Sequence, residues 1–207
     1  MTDTPHCLIP HQPEVADRLA ITSRCQLDLL ENRDGNQPRQ STSLHAGWNE
    51  SALFLSFDCQ DAHLRATCTE RDGPLWKEDV VEVFLDPAGD GLAYYEIELN
   101  PLNTVCDLLL RQNRSGWRKD FRWNCEGLKH EVVRHEKGWR ASLRIPFLSI
   151  APAAPRPGDQ WRANFCRIDY SAEGSERELS AWAPTWDATF HRIERFGRIE
   201  FAQGTGA

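Results

Sequence analysis

The stretch from Trp76 to Asp86, WKEDVVEVFLD, decides the fold. Alternate side chains of a β-strand project to opposite faces of its sheet. One face of this stretch is then purely aliphatic and consists of Val81, Val83 and Leu85. The other face places Glu82 between two apolar side chains, which costs free energy unless a hydrogen-bond partner compensates for it. The sequence therefore predicts a buried strand whose acid is held by a partner from the fold or from a ligand.

An aromatic ring stands at the entrance of this strand. Trp76 follows a Gly-Pro turn, which holds its ring at the rim of the sheet. The next stretch, AYYEIELN at 93–100, repeats the same asymmetry and places Glu96 and Glu98 on one face. Two neighbouring strands would then gather acids beside an aromatic plate, an arrangement typical of sites that hold sugars.

Alternation with a period of two recurs along most of the chain. The runs at 41–48, 52–59 and 63–68 predict a meander of strands, and 131–136 with 138–146 predicts a hairpin. Strands at this spacing, without a long amphipathic helix, indicate an all-β protein. We expect an antiparallel β-sandwich of immunoglobulin-like or jelly-roll-like type.

The length of 207 residues suits one large β domain. We expect an N-terminal extension over 1–24, the sandwich over 25–201 and a C-terminal tail over 202–207. The spacing of apolar residues in 14–24 allows one short helix, and 112–127 is predicted to be a polar loop that carries several aromatic residues.

Composition excludes several classes of partner. The net charge is −7 and the basic residues are scattered singly, so neither nucleic acid nor an anionic membrane is expected to bind. No apolar run approaches the roughly 20 residues of a spanning helix, and the N-terminus lacks a signal-peptide core. As written, the chain is expected in the cytoplasm, and export would require a truncated N-terminus. Seven cysteines without CxxC pairing suit reduced thiols better than disulfides or a zinc site. The oligomeric state stays open.

Three pieces of sequence form a composite pattern. They are WNESALFLSFDCQD at 48–61, WKEDVVEVFLDP at 76–87 followed by YYEIELNP at 94–101, and FHRIERFGRIEF at 190–201. The pattern resembles the family 9 carbohydrate-binding modules and their wider relatives, the DOMON-type sandwiches that bind sugar or haem. This resemblance implies a β-sandwich that holds a sugar between two aromatic plates. It also implies acidic and amide side chains on the sugar hydroxyls and, often, a structural calcium ion.

The resemblance assigns roles to particular residues. By motif position, Trp76 would be the first plate and Glu82 a hydroxyl acceptor. Counting back from Phe196 places the second plate at Phe190, with Trp186 as the alternative.

Two expected sugar contacts depart from the family pattern. Glu98 stands where modules that grip the end of a sugar chain carry an arginine. Cys166 stands where they carry a glutamine, with Asn164 and Arg167 nearby as candidate contacts. We therefore expect either that the ligand differs from that of the family or that the pocket serves something other than sugar binding.

No cofactor is required by this interpretation, although structural calcium is one expectation. Asp86 and Asp90 of the DPAGDG turn are the candidate ligands, but they lack the spacing of an EF-hand loop.

Other functions stay open. No nucleophile elbow, phosphate-binding loop or dinucleotide fingerprint is present, so a binding module is favoured over an enzyme. If the protein hydrolyses a glycosidic bond, the pair to test is Glu82 with Glu96 or Glu98. Haem ligation has little basis, because Met1 is the only methionine. A sandwich that binds a protein partner and no small ligand is the remaining alternative.

Overall fold

The structure, a computed structural model, describes residues 4–13, 19, 21 and 25–204. Within these residues the chain forms two β-sheets. The nine-stranded sheet, called the site sheet, consists of β1 (His6–Ile9), β3 (Leu30–Glu31), β6 (Val80–Asp86), β7 (Ala93–Leu99), β8 (Val105–Asn113), β9 (Gly116–Asp120), β12 (Gln160–Tyr170), β13 (Arg177–Ala181) and β14 (Gly197–Phe201). The five-stranded back sheet consists of β2 (Gln26–Asp28), β4 (Thr42–Trp48), β5 (Ala52–Gln60), β10 (Lys129–His135) and β11 (Gly138–Pro146).

Helical structure is sparse in the described part of the chain. It consists of α1 (Phe147–Ile150) and two 3-10 turns, at Leu75–Lys77 and Ile193–Arg195. None of these has the length and apolar character needed to span a lipid bilayer. The predicted all-β sandwich is confirmed.

The strand order places β6 near the middle of the site sheet. The order is β1-β14-β12-β6-β7-β8-β9, and β13 pairs with the second half of β12 and with β3. The back sheet runs β10-β11-β5-β4-β2. All these strand pairs are antiparallel except β1 with β14, which is parallel. The segment 1–24, predicted to be an extension, thus contributes β1 to the sheet.

The hydrophobic core lies between the two sheets. Val81, Val83 and Leu85 of β6 are 0–1% exposed and belong to it. The inward residues of the predicted hairpin 131–146 belong to the same cluster and are fully buried; they are Trp139, Ala141, Leu143 and Ile145. Both sets follow the strand alternation read from the sequence.

The predicted strand at 63–68 is wrong. This segment has no strand hydrogen bonding, because its backbone amides bind carboxylates instead of a neighbouring strand. Arg65 N–H donates to Asp79, and the N–H groups of Thr67 and Cys68 donate to Glu78. Alternation of side chains cannot distinguish a strand from an extended segment held by acids.

The predicted loop at 112–127 is partly wrong as well. Its first half forms a hairpin in which β9 pairs with β8 through Gln112 and Asn113. This hairpin brings Lys119 and two partly exposed aromatic residues, Trp117 and Phe121, to the outer face of the site sheet. The helix predicted within 14–24 lies outside the described residues, apart from positions 19 and 21.

The outer face of the site sheet carries a second apolar cluster, which contains Val80, Phe84, Tyr94, Ile168, Leu179 and Phe190 among its buried members. The segment 182–196, called the closing loop, packs over this face through Phe190 and Phe196. The outer face is therefore not a solvated surface. It encloses the site described next.

Candidate binding pocket

A pocket lies on the outer face of the site sheet, where β6 and β7 are neighbours. The strand register pairs Glu82 with Glu98 and Phe84 with Glu96, so three glutamates project from one face. Each of the three is only 2–3% exposed. They form the floor of a cavity of about 130 Å³.

Aromatic residues form part of the wall. Trp76 lies on the 3-10 turn before β6 and is partly exposed at the pocket. Its ring lies 6.5 Å from that of Phe121, with the ring planes 37° apart. Phe190 of the closing loop also lines the pocket, is 4% exposed and packs 6.2 Å from the ring of Phe84. A partly exposed ring and a buried ring thus border the same cavity.

A buried asparagine fixes the path of the closing loop. The side-chain amide of Asn32 donates to Thr185 Oγ1 at 2.8 Å and to the carbonyl of Asp187 at 2.9 Å. Its carbonyl oxygen accepts the N–H of Thr185 at 2.9 Å. Because Asn32 is fully buried, these bonds have no competition from water. Asn32 therefore holds the loop that carries Phe190.

His191 lines the pocket as a neutral side chain. Burial and the nearby charge of Lys119 lower its pKa to about 4. Its Nε2 lies 3.3 Å from Lys119 Nζ, which can only donate, so Nε2 accepts. Its Nδ1 lies 2.8 Å from the hydroxyl of Tyr94, and Nδ1 therefore carries the proton and donates to that hydroxyl.

Burial raises the pKa of all three glutamates. The pKa of Glu96 rises to about 7, mainly through desolvation. For Glu82 and Glu98, repulsion from the neighbouring acids adds to desolvation and raises the pKa well above the usual range. The positive charges of Lys119 and Arg177 oppose the rise at Glu82. Three acids in one small cavity therefore hold protons near neutral pH that free glutamates would have lost.

Two carboxyl oxygens on the floor have no hydrogen-bond partner among the described residues. They are Oε2 of Glu96 and Oε2 of Glu98, and both are inaccessible to solvent. A buried acceptor without a partner costs about 1–3 kcal/mol. The floor thus contains two acceptors that the described part of the protein leaves unsatisfied.

Four of the predicted site residues line this pocket together. They are Trp76, Glu82, Glu98 and Phe190. Their role in binding stays a prediction, but their meeting in one cavity follows from the strand register and the closing loop.

The other three predicted residues lie elsewhere. Asn164 is fully buried and binds both the N–H and the carbonyl of Ala183, at 3.0 and 2.8 Å. Arg167 projects to the core side of β12, where it binds Asp169 and donates to Asp61 at 3.2 Å. Trp186, the alternative second plate, is 42% exposed and does not line the pocket.

Several pocket residues were missed as site residues. Strand alternation placed Glu96 on the face of Glu98, but Glu96 was named only as a catalytic partner for Glu82 and not as a binding residue. Lys119, Arg177 and His191 come from distant segments, and no local pattern links them to β6.

Acids with metal-ligand spacing occur elsewhere in the described residues. Asp61, Asp79 and Asp169 have ligand oxygens within 4.8 Å of one another, but the Arg167 guanidinium already bonds to Asp61 and Asp169. No other group of three such residues was found in the described part of the chain.

The calcium candidates Asp86 and Asp90 act within their own turn. Asp86 is fully buried and accepts the N–H groups of Gly89 and Gly91 at 2.8 and 3.0 Å, while Asp90 accepts the N–H of Leu92. With both Asp86 oxygens already hydrogen-bonded, the turn is a poor match for the six to eight oxygen ligands that calcium takes. Calcium binding there stays a prediction.

A larger cavity of about 580 Å³ lies beside the Pro-rich segment 150–156. Its lining is mostly small and apolar, with Tyr95 and Trp161 as its aromatic members. It lacks a group of convergent buried polar side chains, which a specific site normally has in addition to apolar walls. The acidic pocket is therefore the stronger candidate despite its smaller volume.

Comparison with known proteins places the chain in a family. Residues 22–203 match the family model described as carbohydrate family 9 binding domain-like, so the chain belongs to this family. No curated protein sequence matches it.

Solved structures share the fold at low sequence identity. A Bacteroides uniformis protein described as a candidate carbohydrate-binding protein has a TM-score of 0.76 and 15% identity, covering 95% of this chain and 99% of its own. A family 9 carbohydrate-binding module of Caldicellulosiruptor kristjanssonii in complex with glucose has a TM-score of 0.67 and 14% identity, covering 98% of each chain. A structure of a family 9 module from the same organism in complex with cellotriose has a TM-score of 0.66 and 16% identity, covering 97% of this chain and 95% of its own.

Proposed function

We propose that the acidic pocket binds a saccharide and does not cleave it. The observation that carries this proposal is the meeting of Trp76, partly exposed at the pocket, with the acids Glu82 and Glu98 on its floor. Sugar rings have apolar C–H faces and polar edges, so an aromatic ring takes a face while acids take hydroxyl groups. Membership of the family supports the proposal, as do the structures of relatives with glucose and cellotriose.

The arrangement of the acids favours binding over hydrolysis. A glycosidase places two carboxyl groups on either side of the bond that it cleaves. Here Glu82, Glu96 and Glu98 project from one face of two neighbouring strands, so they approach a ligand from one side. The raised pKa of Glu96, about 7, would suit a general acid, and an assay for release of reducing ends tests that alternative directly.

Calorimetric titration of the protein with glucose, cellotriose and other small saccharides tests the proposal. We expect Trp76→Ala to weaken binding of the best ligand by roughly 1–3 kcal/mol, or ten- to more than a hundredfold. The matched control is Trp186→Ala, which removes an exposed tryptophan outside the pocket and should leave the affinity unchanged. Repeating the titration with calcium and with a chelator tests the calcium prediction.

The control also decides between the two candidate plates. Loss of affinity in Trp186→Ala with none in Trp76→Ala would contradict the proposal. So would the absence of binding by every saccharide tested.

A further inference from the structure

The charge of the pocket floor indicates which saccharides it accepts. Three glutamates are buried on one floor, and two of their oxygens have no partner among the described residues. We propose that the pocket selects an amino sugar, whose ring carries a protonated amine in place of a hydroxyl group, over a neutral sugar. This inference rests on the proposed function, because it names the ligand class of the same site.

An ammonium group matches the floor better than a hydroxyl group does. A hydroxyl donates one hydrogen bond and carries no charge, whereas an ammonium donates three and carries a full positive charge. One ammonium group can therefore donate to a carboxylate of the floor, and its charge favours the ionised form of the other two. Hydrogen bonds between ions are roughly twice as strong as neutral ones. A neutral sugar brings no charge that offsets the repulsion between ionised acids of the floor.

The protein's own cations do not already fill this role. Lys119 and Arg177 line the pocket, yet within the described residues no hydrogen bond or ion pair joins either of them to the three glutamates. Lys119 instead donates to His191 at 3.3 Å. The charge of Lys119 acts on all three glutamates, and that of Arg177 acts on Glu82, in each case at longer range than an ion pair. The three glutamates therefore have no direct ion pair with Lys119 or Arg177, and a cationic group of a ligand can take that role.

A metal ion fits this place less well than an organic cation. The three glutamates do not bring their oxygens within 4.8 Å of one another, and in the described chain only Asp61, Asp79 and Asp169 do so. The wall also offers the ring of Trp76, which can cover the C–H face of a sugar and attract a nearby cation. A sugar with an ammonium substituent uses both the ring and the acids.

Binding of an ammonium group should release protons from the floor. The pKa of Glu96 is about 7, and burial also raises the pKa of Glu82 and Glu98, so part of the floor is protonated near neutral pH. A bound cation favours the ionised carboxylates and lowers their pKa. Affinity should therefore rise with pH for as long as the ligand amine stays protonated.

The charged or titratable groups that face the floor come from every element around it. Besides the three glutamates they are Tyr94 of β7, Cys106 of β8, Lys119 of β9, Cys166 of β12, Arg177 of β13 and His191 of the closing loop. Burial raises the pKa of Tyr94 to well above neutral pH, and those of Cys106 and Cys166 likewise, so these three stay protonated. His191 stays neutral, with a pKa of about 4. Proton release near pH 7 is thus assigned to the glutamates.

The experiment is calorimetric titration of the full chain with glucosamine, N-acetylglucosamine and glucose. Each titration is run at pH 7 in two buffers that differ in ionisation enthalpy, so that proton release is measured. We expect glucosamine to bind about tenfold more tightly than the two neutral sugars. Tenfold corresponds to about 1.4 kcal/mol, which is the gain expected when a neutral hydrogen bond becomes charge-assisted. We also expect net proton release with glucosamine alone.

A variant separates the charge from the shape of the pocket. Glu98→Gln keeps the size of the side chain and one acceptor but removes the charge, so the preference for glucosamine over glucose should shrink. Circular dichroism checks that the variant is folded. The proton-release measurement needs no variant and remains decisive if Glu98→Gln does not fold.

The outcomes distinguish this inference from the function on which it rests. If glucose binds as tightly as glucosamine, or glucosamine binds without proton release, the inference is overturned and saccharide binding stands. If putrescine, an amine without a sugar ring, binds as tightly as glucosamine, the sugar part of the inference is overturned. If none of the three sugars binds, both the inference and its basis are contradicted for these ligands.

Discussion

Replacing Glu96 with glutamine should stabilise the protein at neutral and alkaline pH. Burial raises the pKa of Glu96 from the usual 4.5 to about 7. The folded protein therefore holds a proton that the unfolded chain releases between these values, and stability falls as pH rises through this window. Since each tenfold change in proton affinity is worth about 1.4 kcal/mol, the loss is roughly 3 kcal/mol once pH exceeds 7. Glutamine stays neutral, so the variant avoids this loss.

Thermal and urea unfolding at pH 4.5 and pH 8 measures the effect. For a domain of this size, roughly 3 kcal/mol corresponds to an increase in melting temperature of about 6–12 °C at pH 8. The two proteins should differ little at pH 4.5, where Glu96 is protonated in the folded state. The matched control is Glu126→Gln, which changes an exposed glutamate and should leave the melting temperature nearly unchanged.

A Glu96→Gln variant that is less stable than the parent at pH 8 would refute this reasoning. So would a gain of stability that is the same at both pH values. Some fall with pH should persist in the variant, because Glu82 and Glu98 also have raised pKa values.

Three further predictions follow from other contacts. Arg167→Met should cost roughly 3–5 kcal/mol of folding stability, measured by urea unfolding, because it leaves the buried Asp61 and Asp169 without their cation. The folded variant should bind ligand with unchanged affinity. Asn32→Ala should lower stability by about 1–3 kcal/mol and should also lower ligand affinity. The control Asn113→Ala loses one exposed hydrogen bond to Ser115 and should lower stability far less, without a change in affinity. Oxidised glutathione should link Cys7 to Cys25, whose sulfur atoms lie 3.0 Å apart. The disulfide forms by two successive thiol–disulfide exchanges that release two glutathione molecules. An intact mass that is unchanged after this treatment would contradict the prediction.

The sandwich and the floor of the pocket could be predicted because both depend on local alternation. A period of two decides which side chains of β6 and β7 face the core, and the antiparallel pairing then brings Glu82 beside Glu98. The same alternation should have shown that Asn164 and Arg167 cannot both face the pocket, because residues three apart in a strand project to opposite faces of the sheet. The structure places Arg167 on the core side, in line with that rule.

The walls of the pocket could not be predicted, because they depend on contacts between distant parts of the chain. The closing loop is held by Asn32, which bonds to a residue 153 positions later, and no local pattern reveals this. Phe190 could be proposed as a plate only through the family resemblance. Lys119 was missed because its segment was predicted to be a loop, whereas its backbone pairs with β8.

A crystal structure of the protein soaked with glucosamine or glucose tests the central claim most directly. The account predicts a sugar ring stacked on the indole of Trp76, with a polar substituent within hydrogen-bond distance of Glu98. A sugar bound only in the larger cavity beside 150–156, with the acidic pocket empty, would contradict it.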